Sequence, residues 1–426
     1  MDLAEHPARS TPIVWLALLA AIVCGVMLRL SHQDDVSSRS PDEKVYTYRA
    51  QQVADQGLSA MRPWFPEYVN SNTTGELPPP TRVGYVAVSA LAMKLMGVRD
   101  FRAGAAVSLL CSVLSLLLLA WIGVRFFNPW VAAGAVSFLA FSVAELGMAR
   151  RAWVDGYFGF IGLLLLYLTL ELMRTPRRVF LYPLFFLSGT CAILSKETSV
   201  FVYGICGLWL FGFLVWKERW GKGAALLALG GLLSVAAALG TWSLLAGNLT
   251  VPLSALTSVK VNTDWGRLNT GGPWYQFTYL LWLVGPLTGT MALVGIIAAA
   301  LPSGIRSKAG LEVSKLGIDD LPGARLAASV VVSLLVFVSF VGHLQYLRMT
   351  SPADGAYCLL AGLGLWNLLT LARRFLPITD YRALVLVAVL AVGIEGLRDY
   401  RIYTDVVVRT GMEDLTAIWI RTALGR

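Results

Sequence analysis

The stretch AGAAVSLLCSVLSLLLLAWIGV at residues 103–124 is continuously apolar and contains no charged side chain. An α-helix needs about 20 apolar residues to cross the hydrocarbon core of a bilayer, and this stretch reaches that length. Similar runs recur along the chain. They predict eleven membrane-spanning helices, at residues 13–30, 103–124, 130–148, 157–173, 180–194, 200–215, 224–246, 277–301, 326–343, 356–371 and 383–397.

The overall composition supports a membrane protein. Hydrophobic residues make up 56% of the 426 residues, charged residues make up 14%, and the mean hydropathy is +0.65. A soluble domain carries about 25% charged residues, so a soluble enzyme, a disordered protein and a simple nucleic-acid-binding protein are excluded. A membrane β-barrel would show short alternating segments instead of continuous runs. The sequence therefore predicts an all-α polytopic membrane protein.

Positive charge orients the predicted spans, because short cytoplasmic loops are enriched in Lys and Arg. This rule places Arg125 and the basic stretches at 174–178 and 217–222 on the cytoplasmic side, provided that residues 83–98 lie at the membrane surface and do not span. The net charge of +9 also fits an anionic lipid or phosphate ligand, and charge alone leaves both interpretations open.

The same orientation defines the domain organisation. Residues 1–397 form the transmembrane domain, and within it residues 32–102 form a large first extracytoplasmic loop with interfacial helices. Residues 398–426 form a short extracytoplasmic tail. We expect an integral, multi-pass protein of the plasma or inner membrane.

The few cysteines and histidines of the chain do not indicate disulfide bonds or a metal site. The five cysteines all lie inside apolar runs and are typical of small core residues, so we expect neither a disulfide framework nor a cysteine metal cluster. With three histidines in the chain, a multi-histidine metal site is not expected either.

The first chemical motif is Ser40-Pro41-Asp42-Glu43, which follows the first span. It opens a helix by local rules: Ser40 caps, Pro41 takes the first helical position, and Glu43 completes an S-x-x-E capping box. Gly57 ends the helix. The acids could merely favour the helix dipole. Alternatively, Asp42, held close to the membrane surface, could act as general base on an acceptor hydroxyl.

Four further segments on the predicted outer side carry charged residues. Three prolines after Glu76 form a rigid segment that could fix this carboxylate beside Asp42, or serve only as a stiff linker. Arg150 and Arg151, Lys196 and Arg348 lie at the ends of different spans; they could be ordinary end-of-span charges, and Lys196 could simply snorkel. Carboxylates together with cations at the outer leaflet suit transfer chemistry on a phosphate-bearing lipid, since cations stabilise charge on a leaving phosphate.

The order of these motifs resembles the GT-C-fold membrane glycosyltransferases, specifically the family of protein mannosyltransferases and aminoarabinose transferases. The resemblance covers residues 13–371. In the first loop it rests on the acidic pair Asp42 and Glu43 after the first span, on Glu76 before the proline pair Pro78 and Pro79, and on Tyr85 in an interfacial helix that ends at Gly97. Later in the chain it rests on Arg102 on the next helix and on an alanine–arginine stretch that leads to Asp155. The last two motifs are Leu194-Ser195-Lys196 and Tyr346, six residues before Pro352.

The resemblance implies an inverting glycosyltransferase that moves a sugar from a polyprenyl-phosphate donor to a hydroxyl of an acceptor glycan, lipid or protein at the outer membrane face. It implies Asp42 as the base, with Glu43, Glu76 and Asp155 as further carboxylates of the site. The donor phosphate would be held by a set of cations and a tyrosine: Lys196, Arg150, Arg151, Arg348 and Tyr346. A divalent cation bound by the carboxylates is left open, and no nucleic-acid partner is expected.

The chain departs from the family pattern at three positions. Leu77 stands where the family often has Lys, Gln345 where it often has Arg, and Met349 where a proline is common. Two other functions stay open at this stage. One is a transporter or flippase for an anionic lipid, which would need ionisable residues in mid-membrane. The other is a catalytically silent GT-C-like subunit of a larger membrane complex.

Overall fold

The structure of the protein is a computed structural model. It describes residues 12–33, 40–70, 79–196, 198–257, 284–301, 322–340, 351–375 and 381–408. Every regular element in these ranges is a helix. We number the α-helices α1 Pro12–Leu30, α2 Pro41–Gln56, α3 Trp64–Asn70, α4 Val83–Met96, α5 Phe101–Phe126, α6 Pro129–Phe141, α7 Val143–Ala149, α8 Val154–Arg174, α9 Leu181–Ile193, α10 Ser199–Gly212, α11 Gly221–Ala246, α12 Thr250–Thr257, α13 Pro286–Ala300, α14 Pro322–Phe340, α15 Ser351–Phe375 and α16 Tyr381–Ile402.

Long apolar helices confirm the polytopic all-α fold. Within the described ranges, six helices are long and apolar enough to cross a membrane: Pro12–Leu30, Phe101–Phe126, Val154–Arg174, Ser199–Lys217, Gly221–Ala246 and Ser351–Ala372. Helices α6 and α7 form a seventh candidate if the pair, bent by 60°, is counted as one span. The remaining expected spans coincide with α9, α13, α14 and α16, so a helix lies at each of the eleven predicted positions.

The first loop folds back over one end of the helix bundle. The backbone N–H of Gly84, at the start of α4, donates to the carbonyl of Leu194 after α9 over 2.8 Å. The hydroxyl of Tyr85 donates to the carbonyl of Gly104 near the start of α5 over 3.2 Å. Because α1 ends and α5 begins at this same end, α4 does not carry the chain across the bundle.

The bend between α6 and α7 is held by an arginine from α1. Arg29 is 1% exposed, and its guanidinium donates to the carbonyls of Leu139 and Ala140 in the last turn of α6, over 3.0 and 3.3 Å. Its Nε donates to Ser112, whose hydroxyl donates to Glu145 over 2.8 Å. These contacts satisfy carbonyls at the helix break and position the segment that follows α7.

The opposite end of the bundle carries the predicted cytoplasmic charges. Arg125, at the end of α5, forms a two-point ion pair with Glu171 near the end of α8, over 2.6 and 2.8 Å. Arg178 adds a longer contact to the same carboxylate at 3.7 Å. Glu171 lies sixteen residues along α8 from Asp155, which is about 24 Å at 1.5 Å per residue. The basic cluster and Asp155 therefore lie at different ends of the bundle.

Candidate active site

The start of α2 has the local structure that its sequence predicts. The Ser40 hydroxyl accepts from the backbone N–H of Glu43 at 3.2 Å, and the Glu43 carboxylate accepts from the backbone N–H of Ser40 at 3.1 Å. Pro41 occupies the first turn, and Gly57 ends the helix with a φ of 80°. The capping box fixes the direction in which Asp42 and Glu43 leave the helix.

Glu43 joins α2 to the segment between α7 and α8. Its carboxylate accepts from Arg151 Nη1 at 2.7 Å and from the backbone N–H of Ala152 at 2.9 Å, and the residue is fully buried. The indole N–H of Trp153 donates to the Ser40 hydroxyl at 2.8 Å. A buried carboxylate with these partners anchors the helix start, and it holds Arg151 in an ion pair away from solvent.

Asp42 differs from its neighbour because it is only partly buried. One turn further along α2, Tyr46 is 2% exposed and accepts a hydrogen bond from Arg82 Nη1 at 2.8 Å. Burial raises the pKa of Tyr46, the charge of Arg82 lowers it, and the charges of Asp42 and Asp155 raise it further. The hydrogen bonds of Ala152 and Trp153 to Glu43 and Ser40 place the start of α2, which carries Asp42, against the segment that leads into Asp155.

The predicted phosphate-binding lysine lies beside that acid. Lys196 forms a direct ion pair with Asp155, and both residues are 2% exposed. The ammonium also lies 5.8 Å from the ring centre of Phe158. Lys196 follows Leu194, the residue hydrogen-bonded to Gly84, so the segment after α9 and the start of α4 approach the site together.

Arg150 and Arg151, which precede α8, contact different residues. Arg151 pairs with Glu43 and lies 5.4 Å from the centre of the Trp153 ring. Arg150 is 2% exposed and lies 5.9 Å from the centre of the Tyr403 ring, in the π-helical turn that follows α16. Both predicted cations therefore contact protein groups. The other predicted site residues fall outside the described residues: Glu76, Tyr346 and Arg348.

Two arginines of the first loop were not among the sequence-based candidates. Arg82 contacts Tyr46 directly, and Arg49, on the same face of α2 as Tyr46, stacks 5.2 Å from the centre of the Trp64 ring. A cation two residues after the triple proline was the available signal for Arg82. Arg49 gave no signal, because an arginine within a polar helix is usually a solvated surface residue.

The described residues do not assemble a metal site. Among them, no three His, Cys, Asp or Glu side chains come together in a way that could hold a metal ion. Glu43 and Asp155 instead pair with cationic side chains. We therefore derive no chemical step through a metal.

The protein resembles known proteins in its fold but not in its sequence. No protein-family profile matches the sequence, and no curated protein matches it. Solved structures do match. ArnT from Cupriavidus metallidurans in the apo state has a TM-score of 0.53 at 18% identity, covering 95% of this chain and 75% of ArnT. The same protein bound to undecaprenyl phosphate matches with a TM-score of 0.53 at 17% identity, over 98% of this chain and 79% of ArnT.

An archaeal protein gives a second match. The Archaeoglobus fulgidus oligosaccharyltransferase, tethered to an acceptor peptide, has a TM-score of 0.59 at 13% identity. The match covers 92% of this chain and 55% of the oligosaccharyltransferase, so the chain spans about half the length of that protein. At these identities the likeness shows the fold alone: the chain has the GT-C fold of membrane glycosyltransferases that its motif order predicted.

Proposed function

We propose that the protein is an inverting glycosyltransferase that moves a sugar from a polyprenyl-phosphate donor to an acceptor hydroxyl. The observation that carries this proposal is that the start of α2, with Asp42, is hydrogen-bonded to the segment leading into the buried Asp155–Lys196 pair, at one end of a bundle with the GT-C fold. A partly exposed carboxylate and two cations in one site are the groups that displacement of a phosphate leaving group requires.

Asp42 is the general base of the proposed reaction. It takes the proton of the acceptor hydroxyl as the oxygen attacks the anomeric carbon of the sugar. The bond between that carbon and the phosphate oxygen breaks, and polyprenyl phosphate leaves with the bonding electron pair. A single in-line displacement inverts the anomeric centre. Partial exposure of Asp42 suits this role, because the acceptor has to reach the carboxylate.

Lys196 compensates the charge of the departing phosphate in this proposal. Its ion pair with Asp155 holds the ammonium in place before the donor binds. A cation fixed where negative charge develops stabilises the transition state without reorganising during the reaction. Glu43 and Arg151 act on the structure of the site by fixing the start of α2, whereas Glu76, Tyr346 and Arg348 keep their predicted roles.

Two of the matching structures support the donor class. One contains ArnT bound to undecaprenyl phosphate, and another contains the archaeal AglB in complex with an inhibitory peptide and a dolichol-phosphate. Basic residues such as Arg125 and Arg178 at the opposite end support an extracytoplasmic site, because cytoplasmic loops are enriched in positive charge.

The proposal is tested by transfer of a labelled sugar from a polyprenyl phosphate to an extract of envelope acceptors, using purified protein in lipid vesicles. Asp42→Asn is expected to lower turnover at least 100-fold, since general base catalysis contributes about 10²–10⁴-fold. Asp55→Asn is the matched control, because Asp55 lies at the other end of α2 in an exposed pair with Arg99. Near-normal transfer by Asp42→Asn contradicts the assignment, and lipid translocation without sugar transfer by the unaltered protein favours a transporter.

A further inference from the structure

Arg82 is held in place although it is partly exposed. The residue before it, Thr81, accepts a hydrogen bond through its carbonyl from the indole N–H of Trp242 in α11, over 2.9 Å. Two residues after it, Gly84 donates to the carbonyl of Leu194. The guanidinium itself donates to Tyr46 at 2.8 Å. Contacts to three different parts of the molecule thus fix the position of one cation at the edge of the site.

Tyr46 gives this cation a rigid support. Its ring packs edge-to-face on Tyr85, with 5.3 Å between the ring centres, and Tyr85 in turn lies 6.2 Å from Tyr157 on α8. Because Tyr46 is 2% exposed and its ring packs on Tyr85 of α4, its hydroxyl cannot move far without disturbing the contact between α2 and α4. The orientation of the Arg82 guanidinium is therefore set by the fold.

A second arginine, Arg49, lies within electrostatic range of Arg82. Arg49 is 7% exposed and is one turn along α2 from Tyr46. Burial lowers the pKa of Arg49 to about 10; the tyrosine raises it, the positive charge of Arg82 lowers it, and Glu67 makes a small raising contribution. Two guanidinium groups within electrostatic reach of each other disfavour one another's charge, and an anion between or beside them relieves that repulsion.

The nearby carboxylates are largely engaged with other cations. Glu43 pairs with Arg151, and Asp155 pairs with Lys196. Asp42, the proposed base, is partly exposed and lies one turn before Tyr46 on α2. Arg82 and Arg49 therefore add positive charge around Tyr46, one turn along α2 from Asp42.

We propose that Arg82, oriented by Tyr46 and supported by the charge of Arg49, binds a phosphate group at the edge of the site. Arginine suits this role because its planar guanidinium presents parallel N–H donors that match two phosphate oxygens. This inference rests on the proposed function for the source of the phosphate, which is the polyprenyl phosphate carrier. The alternative source is free inorganic phosphate, and the experiment separates the two.

Binding is measured by titrating the purified protein in detergent with a polyprenyl monophosphate and, separately, with inorganic phosphate. We expect the unaltered protein to bind the lipid phosphate, Arg82→Gln to weaken its Kd at least tenfold, and Arg82→Lys to weaken it less. Tyr46→Phe, which keeps the ring packing and removes the hydroxyl, is expected to weaken the Kd about threefold to tenfold, in line with the loss of one hydrogen bond. Arg99→Gln, at an exposed arginine of the same loop, is the control and is expected to stay within about twofold.

The outcomes are distinguishable from failure of the proposed function. If the unaltered protein binds lipid phosphate and neither Arg82→Gln nor Tyr46→Phe weakens it, while both variants keep the melting temperature of the unaltered protein, the site is wrong and the glycosyltransferase proposal stands. If inorganic phosphate alone binds and Arg82→Gln removes it, the site is supported and the lipid source is overturned. If neither phosphate binds, the site is overturned, and sugar transfer by the unaltered protein decides the function separately.

Discussion

Neighbouring acids at the start of α2 have different environments. Asp42 is partly exposed, whereas Glu43 is buried and bound to Arg151, Ala152 and Ser40. The difference follows from helix geometry, because successive side chains leave a helix about 100° apart and only one of the two can face the bundle. In the proposed function, Asp42 therefore serves catalysis, while the adjacent Glu43 anchors the start of the helix.

Removing the charge of Glu43 leaves Arg151 buried without its ionic partner. We expect Glu43→Gln to destabilise the protein by about 3 to 5 kcal/mol, the usual cost of breaking a buried ion pair from one side. The melting temperature in detergent measures this loss. Glu43→Gln combined with Arg151→Met is expected to recover part of it, whereas Glu218→Gln, at an exposed residue of the opposite end, should change nothing. Unaltered melting of the Glu43→Gln protein would contradict the anchoring role.

Close helix approach depends on small residues at the crossing points. A side-chain carbon at Gly364 on α15 would lie 1.9 Å from the carbonyl oxygen of Met291 on α13. In the other direction, a side-chain carbon added at Gly295 on α13 would lie 2.1 Å from the carbonyl oxygen of Leu360 on α15. Membrane helices associate by such backbone contacts, since lipid removes the hydrophobic driving force between them. The packing of α13 on α15 therefore tolerates no added methyl group without a shift of the backbone.

Gly364→Ala should separate α13 from α15 and destabilise the protein by about 1 to 3 kcal/mol, the usual range for overpacking. The matched control is Gly240→Ala on α11, where an added carbon meets no atom within 4 Å. Thermal unfolding of both variants in the same detergent measures the difference. Equal melting temperatures would show that the helices are not packed this closely.

At the scale of the whole molecule, the two ends of the bundle differ in chemistry. One end holds the carboxylates and cations of the site, and the other holds the Arg125–Glu171 cluster. Helix α8 separates Asp155 from Glu171 by about 24 Å at 1.5 Å per residue. From the enrichment of positive charge in cytoplasmic loops, we expect the site to lie outside the cytoplasm.

Single cysteines at exposed positions test this orientation. We expect Ser59→Cys, in the first loop, to react with a membrane-impermeant thiol reagent in intact cells. Glu218→Cys, beyond α10 at the opposite end, should react only after the membrane is permeabilised. Both residues are exposed, and the five native cysteines are buried or partly buried. Labelling with the two positions reversed would place the site on the cytoplasmic side.

Local patterns in the sequence accounted for much of the fold. Apolar run length predicted a helix at each span position, and a helix also lies at residues 83–96, within the segment predicted to be interfacial. The capping box at Ser40 and Glu43 formed as its spacing indicated. The break at Ser142 was not foreseen, because Ser142 carries no helix-breaking signal and the bend is held by Arg29 from another helix.

The sequence by itself determined that the chain is a helical membrane protein, because hydrophobic length and capping act between residues close in the chain. Only the tertiary structure decided which charges meet. The pairing of Glu43 with Arg151 and of Tyr46 with Arg82 joins segments far apart in the sequence. Such contacts depend on how helices pack against one another, and side-chain spacing along the chain carries no record of that packing.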